Sequence, residues 1–113
     1  MYKGETGARD LLRELTGHRF PKTRKVLPGG KELDGFCEDL GIAFEYDGVQ
    51  HHEYVPHFHR RGRIDLYYQK GLDAAKDSWC IDLGIVLIRI SCREDDVRGY
   101  LTRELDLLGV LKK

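Results

Sequence analysis

Within the 113-residue sequence, the segment best equipped for chemistry runs from Ile42 to His51. Apolar and acidic residues alternate in Ile42-Ala43-Phe44-Glu45-Tyr46-Asp47. On a β-strand, Ile42, Phe44 and Tyr46 would share one face while Ala43, Glu45 and Asp47 share the other. The first is a core face; the second offers two carboxylates to whatever lies above the sheet. Asp34, in Leu33-Asp34-Gly35-Phe36-Cys37, joins them if the pairing register puts it on that face. Carboxylates this close repel one another, and burial raises the cost of keeping them charged. A hard divalent cation among them relieves both penalties, and oxygen ligands of this kind suit Mg²⁺. Alternation alone equally allows an ordinary polar outer face of a hairpin.

Gly48-Val49-Gln50-His51-His52 follows at once. Gly48 permits a sharp change of direction, which delivers the Gln50 amide and the His51 imidazole beside the acids. Downstream, Gln69, Asp73 and Lys76 fall on one side of a predicted helix, apart from its Leu72/Trp79 stripe, and so are available to a site. The plainer reading of that spacing is an ion pair between Asp73 and Lys76 at i, i+3.

These residues need elements to position them. Residues 5–16 predict a helix, with Ala8, Leu11, Leu12 and Leu15 on one stripe and Gly17 as its stop. A basic connector, 18–31, follows; Pro21 and Pro28-Gly29-Gly30 keep it irregular, and Phe20, Val26 and Leu27 serve as packing anchors. Residues 33–37 and 42–47 predict a β-hairpin around Glu38-Asp39-Leu40-Gly41, and 48–63 is irregular by pattern. A helix is expected over 64–82, with Tyr68, Leu72, Ala75 and Trp79 facing the core. Next come a strand over 84–90 buried on both faces and a helix over 94–108, with Val97, Leu101, Leu105 and Leu108 inward and Gly109 as its stop. The order α-β-β-(β)-α-β-α predicts an α/β fold, a central mixed sheet flanked by helices, in one domain over residues 1–113.

Composition narrows the class. Nineteen basic and nineteen acidic residues cancel, yet the charges are segregated. Residues 1–31 carry a net +5, 32–47 a net −6 without a single Lys or Arg, and 48–63 a net +2 with four of the five His. Basic segments on both sides of an acidic one suit carboxylates that hold a cation and flanking cations that hold phosphates. The longest apolar run, Ile85-Val86-Leu87-Ile88, is far short of the ~20 residues of a membrane span, and the N-terminal residues lack a signal-peptide core. Three Cys do not make a secreted disulfide scaffold. A soluble cytoplasmic protein is the expectation.

Taken together, these motifs resemble the restriction-endonuclease-like PD-(D/E)XK nuclease superfamily, in particular its branch of very-short-patch-repair-type, phage and mobile-element endonucleases. The resemblance rests on Gly4-Glu5, Leu33-Asp34-Gly35, Glu45-Tyr46-Asp47-Gly48-Val49-Gln50-His51, Asp73 with Lys76, and Gly84-Ile85-Val86-Leu87-Ile88-Arg89-Ile90. It implies a restriction-endonuclease-like fold and a bacterial or phage-encoded origin. It also implies that Asp34 and Glu45 bind a catalytic Mg²⁺, which Mn²⁺ can replace, with Glu5 as an outer carboxylate. Gln50 and His51 would lie beside the attacking water. His51 is the candidate general base, since an imidazole titrates near neutral pH. One departure stands out: the superfamily's Lys, two residues past the Glu, is Asp47 here, and Gln50, His51 or Lys76 would have to replace it.

The implied function is a Mg²⁺-dependent DNA endonuclease that nicks DNA or cuts branched structures. Lys22, Arg24 and Lys25, together with Arg60, Arg61, Arg63 and Lys76, are the candidate DNA contacts. A single site cuts one strand, so cutting both would call for a homodimer. Two alternatives remain open. One is a nucleic-acid-binding module that kept the fold and lost catalysis. The other is a zinc-stabilised domain using Cys37, Cys80 and Cys92 with His57 or His59, although paired Cys-x-x-Cys spacing is missing.

Overall fold

The computed structural model describes residues 4–48 and 61–113. Helix α1 (Gly4–Thr16) buries Ala8, Leu11 and Leu12, the stripe read from its spacing, and stops before Gly17. The connector is anchored by Phe20 and Leu27, both buried, and is pinned by paired backbone hydrogen bonds between Thr23 and Leu33. Strands β1 (Gly35–Cys37) and β2 (Ile42–Asp47) form the expected hairpin, with Gly35 opposite Phe44 and Cys37 opposite Ile42. The optional extra strand falls mostly on residues outside those described.

Helix α2 (Arg63–Leu83) is the crossover that a parallel strand pair requires. It ends at Gly84, whose φ of 73° is left-handed and whose N–H reaches the carbonyls of Cys80 and Ile81; an L-side chain there would be strained. Strand β3 (Val86–Ser91) then pairs in parallel with β2, Glu45 beside Arg89 and Asp47 beside Ser91. Helix α3 (Val97–Leu108) is capped by Asp96, which accepts from the Gly99 N–H at 3.0 Å. The result is an α/β fold with a three-stranded mixed sheet in the order β1-β2-β3. None of the helices among the described residues is long and apolar enough to cross a membrane.

Strand alternation divides the interior into two clusters. Ile42, Phe44, Ile88 and Ile90 join Ala8, Leu11 and Leu12 of α1 and Leu101 and Leu105 of α3. On the opposite side, Ala43 meets Leu27, Leu33 and Cys80, with Trp79, Ile85 and Leu87 packed around them. Both faces of β2 are therefore covered, and Glu45 and Asp47 lie beneath α2 rather than on an open surface.

Three expectations about packing are corrected. Tyr68 is 59% exposed instead of lying in the core; α2 turns Leu66 and Cys80 inward, on the same side as Lys76. Strand β3 is a sheet edge, so Val86 is exposed while Ile88 and Ile90 are buried. Leu108, in the last turn of α3, is also exposed.

Candidate functional site

The hairpin register extends one step past its last ladder pair and sets Asp34 opposite Glu45. Their side chains bond backbone amides across the hairpin. The Asp34 N–H donates to Glu45 Oε2 at 2.8 Å, and the Tyr46 N–H donates to Asp34 Oδ2 at 2.8 Å. Each carboxylate thus caps an amide of the other strand, which fixes both acids on the α2 side. Gly35 makes this approach possible: a Cβ there would lie 2.7 Å from the Phe20 carbonyl oxygen and collide with the Phe44 ring.

Glu45 has a second partner. Lys76, from the middle of α2, donates from Nζ to Glu45 Oε1 at 2.6 Å, and the two side chains are only 11% and 5% exposed. A cation from the crossover helix therefore stands against the central carboxylate. Asp73, the partner the helical spacing offered, points its carboxylate toward Arg89 instead, 3.9 Å from Nη1.

On the other side of Asp34, the start of α1 and the end of the connector bring up Glu5 and Glu32. Carboxylate oxygens of Glu5, Glu32 and Asp34 lie within 4.8 Å of one another, close enough to serve one hard cation with an all-oxygen ligand set. The expected set was Asp34, Glu45 and Glu5; the trio that meets has Glu32 in place of Glu45. The missed signal was Glu32-x-Asp34, since residues two apart on an extended chain share a face.

Charge within this corner is unevenly shared. Burial, followed by the neighbouring charges of Glu45 and Glu5, pushes the Asp34 carboxyl up to about 7, against a hydrogen bond from Tyr46 that pulls the other way. Burial also acts to raise Glu5, but hydrogen bonds from Lys22 and Arg9 hold it below its ordinary value. Lys22 Nζ sits 2.9 Å from Glu5 and 3.7 Å from Glu32. Arg9 bonds Glu5 and the Asp34 carbonyl from the same Nη2.

Asp47 is occupied elsewhere. Arg89 donates from Nη1 to Asp47 at 3.1 Å, from Nε to Asp77 at 2.9 Å and from Nη2 to the Asp73 carbonyl at 2.8 Å. One guanidinium thus ties β2, β3 and α2 together. A lysine at position 47 would face this arginine, so the acid there has a local physical reason.

The expected DNA-contacting cations are largely engaged within the chain. Lys22 and Arg24 pair with the acids named above, Arg24 at 3.2 Å from Glu32. Arg61 pairs with Asp65 at 2.6 Å, and Lys76 is nearly buried on Glu45. Lys25 and Arg63 are exposed. Gln50, His51, Arg60, His57 and His59 lie outside the described residues. Cys37 and Cys80 sit in separate apolar clusters, where cysteines pack as small hydrophobes.

Comparison with known proteins gives relatives without a described activity. The chain is 42% identical over 109 residues to uncharacterized protein 094L of Frog virus 3 (isolate Goorha), covering 91% of this chain and 70% of that protein. It is 32% identical over 80 residues to uncharacterized protein 307L of Invertebrate iridescent virus 6, and 28% identical over 117 residues to uncharacterized protein 033L of Invertebrate iridescent virus 3. Those matches cover 71% and 96% of this chain but only 40% and 60% of the two relatives' own lengths. No family model and no solved structure matches. The relatives come from viruses of frogs and invertebrates, so they lend no support to a bacterial or phage source. By its identity to 094L and its coverage of that protein, the chain belongs to the same viral protein family as 094L.

Proposed function

We propose that the chain is a Mg²⁺-dependent DNA endonuclease of the restriction-endonuclease-like fold. The observation that carries this reading is the 2.6 Å contact between Lys76 and Glu45, with Asp34 directly across the hairpin. The superfamily pattern requires a lysine beside the strand carboxylate, and this chain has an acid at the usual position. Lys76 brings the ammonium to the same carboxylate from α2. An element order of hairpin, crossover helix and parallel strand is likewise what that fold would need.

The donor set fits the ion. Glu5, Glu32 and Asp34 offer oxygen ligands only, and Asp34 is short of positive charge. Glu45 adjoins them across the hairpin. Mg²⁺ held there would supply electrostatic stabilisation of the transition state and a lowered pKa for water. The chain's own groups do the rest. Asp34 N–H and Lys76 fix Glu45 by both of its oxygens, and the Lys76 ammonium orients the attacking water beside it. The resemblance gives the proton-accepting role to His51 and a supporting role to Gln50, both outside the described residues. DNA is the partner; a single copy nicks one strand, and a homodimer would cut both.

Nicking of supercoiled plasmid tests the proposal. Wild type should nick with Mg²⁺ or Mn²⁺ and stop in EDTA. Folded Glu45→Ala and Lys76→Met should each lose about a hundredfold or more of the rate, as expected when a group that stabilises developing charge is removed. Tight DNA binding without any cleavage would replace the nuclease with a non-catalytic binding module, and nicking that survives Glu45→Ala would overturn the assignment of the site.

A further inference from the structure

Since most of the cations that flank the acids are already neutralised by ion pairs, a strand of DNA must be held by others. Helix α1 and the residues that follow it supply them. Arg9 and Arg13 lie one turn apart on α1, and Arg19 follows two residues past Gly17. The three line one open cleft of about 310 Å³, with Phe20 and Pro21 forming its apolar part and Asp10 as its one acid. Arg13 and Arg19 are exposed, and neither makes a side-chain hydrogen bond or ion pair among the described residues. Arg9 is different: both of its hydrogen bonds leave from Nη2, toward Glu5 and the Asp34 carbonyl, and its buried Nε has no partner.

Arg9 is paired with Glu5, but Arg13 and Arg19 leave the cleft with positive charge that only Asp10 opposes. Their planar forks match the oxygens of a phosphate diester. The apolar part of the cleft is almost closed to stacking, because Phe20 is buried, so the features of the site recognise a backbone anion rather than a base. Arg9 belongs both to this cleft and to the acidic corner, so an anion in the cleft would lie beside the carboxylates.

We propose that Arg9, Arg13 and Arg19 form a binding site for a backbone phosphate of the nucleic-acid strand, adjoining the Asp34 corner. The inference rests on the nuclease reading for the identity of the strand, but its test does not depend on cleavage.

The test is the salt dependence of binding to a short fluorescent DNA duplex, with Ca²⁺ in place of Mg²⁺. Arg13→Ala/Arg19→Ala should lower the slope of log affinity against log salt by about two, roughly one for each phosphate contact removed, while Arg13→Lys/Arg19→Lys keeps most of it. Circular dichroism of both variants should match wild type, because neither side chain is packed. An unchanged slope in the Ala variant, or no duplex binding by wild type, overturns the cleft. Saturation by inorganic phosphate without duplex binding would mark a small-anion site and also overturn it. Nicking assayed in parallel separates the two claims. Loss of nicking in Glu45→Ala with an unchanged Arg-variant slope keeps the nuclease and removes the cleft; an Arg-dependent slope without nicking does the reverse.

Discussion

Lys76 of α2 and Glu45 of β2 meet at 2.6 Å with almost no solvent around either side chain, although 31 residues separate them in the chain. The pair closes the polar end of an interface whose other end is the apolar cluster of Ala43, Cys80 and Leu87. Removing one partner leaves an uncompensated charge under the helix, a loss of about 3–5 kcal/mol. Lys76→Met and Glu45→Gln should each lower the urea midpoint strongly. The double variant should lose much less than the sum, because both charges are gone. Strict additivity in the double-mutant cycle would mean that the contact carries no coupling.

Asp34 makes stability depend on pH. Its carboxyl is raised from an ordinary 3.8 to about 7, by burial first and then by Glu45 and Glu5. Glu32, Lys22 and Arg9 are the other charged groups around it. Between those two values the folded state holds the proton more tightly than the unfolded one, so stability falls as pH rises from about 4 to about 7 and the contribution then levels off. Asp34→Asn keeps an oxygen for the Tyr46 N–H and should remove this decline. Thermal melts in EDTA across that range decide it: parallel curves for wild type and Asp34→Asn would show that the strain lies elsewhere.

The same corner predicts a response to metal. Any ion that binds only the folded chain raises the melting temperature by mass action. Millimolar Mg²⁺ at pH 7.5 should therefore raise it for wild type, less for Glu32→Gln and least for Asp34→Asn. A shift that survives both substitutions would exclude the Glu5/Glu32/Asp34 trio as its source.

Much of this arrangement was legible in the sequence because it is local. Helix ends at Gly17 and Gly109, the turn at Glu38–Gly41 and the alternation along β2 all follow from spacing and turn chemistry. Whether Asp34 reaches the face of Glu45 depended on register, which the hairpin sets. The misreadings arose where distant elements meet. Of the apolar stripe expected inward on α2, Trp79 packs against the cluster around Ala43 while Tyr68 is exposed, and the polar Lys76 also turns to the sheet, where Glu45 meets it. Glu32 falls between the connector and the first predicted strand, and the Thr23–Leu33 bridge that extends the chain there is not visible in its spacing. Val86 reads as core from composition, yet an edge strand has a neighbour on one side only.

Gly35 should tolerate no side chain. Its would-be Cβ meets both the Phe20 carbonyl and the Phe44 ring, and neither can withdraw without disturbing the core around Leu11 and Leu12. Gly35→Ala is expected to cost about 1–3 kcal/mol, the range for an overpacked interior, read as a lower urea midpoint. It should also lower nicking, since Asp34 is the adjacent residue. A variant as stable as wild type would mean that the hairpin can shift freely, and the bonds from Asp34 N–H to Glu45 and from Tyr46 N–H to Asp34 could not then be a fixed feature.

Asp47 allows a sharper test of the proposed function, because the pattern the sequence resembles puts a lysine where this chain has an acid. Arg89 already presents Nη1 to position 47 at 3.1 Å, with Asp73 and Asp77 shared around the same guanidinium. Asp47→Asn would weaken one arm of that tie and leave the size of the side chain unchanged. Asp47→Lys would set two cations against each other beneath α2, where water screens little. Stability should therefore fall in the order wild type, Asp47→Asn, Asp47→Lys, with the last losing several kcal/mol, about the cost of breaking a buried pair. Nicking should not rise in Asp47→Lys, since Glu45 already has its ammonium from Lys76. If Asp47→Lys proved as stable as wild type and more active, the lysine of α2 could not be standing in for the missing strand lysine, and Arg89 would have to find its partners elsewhere.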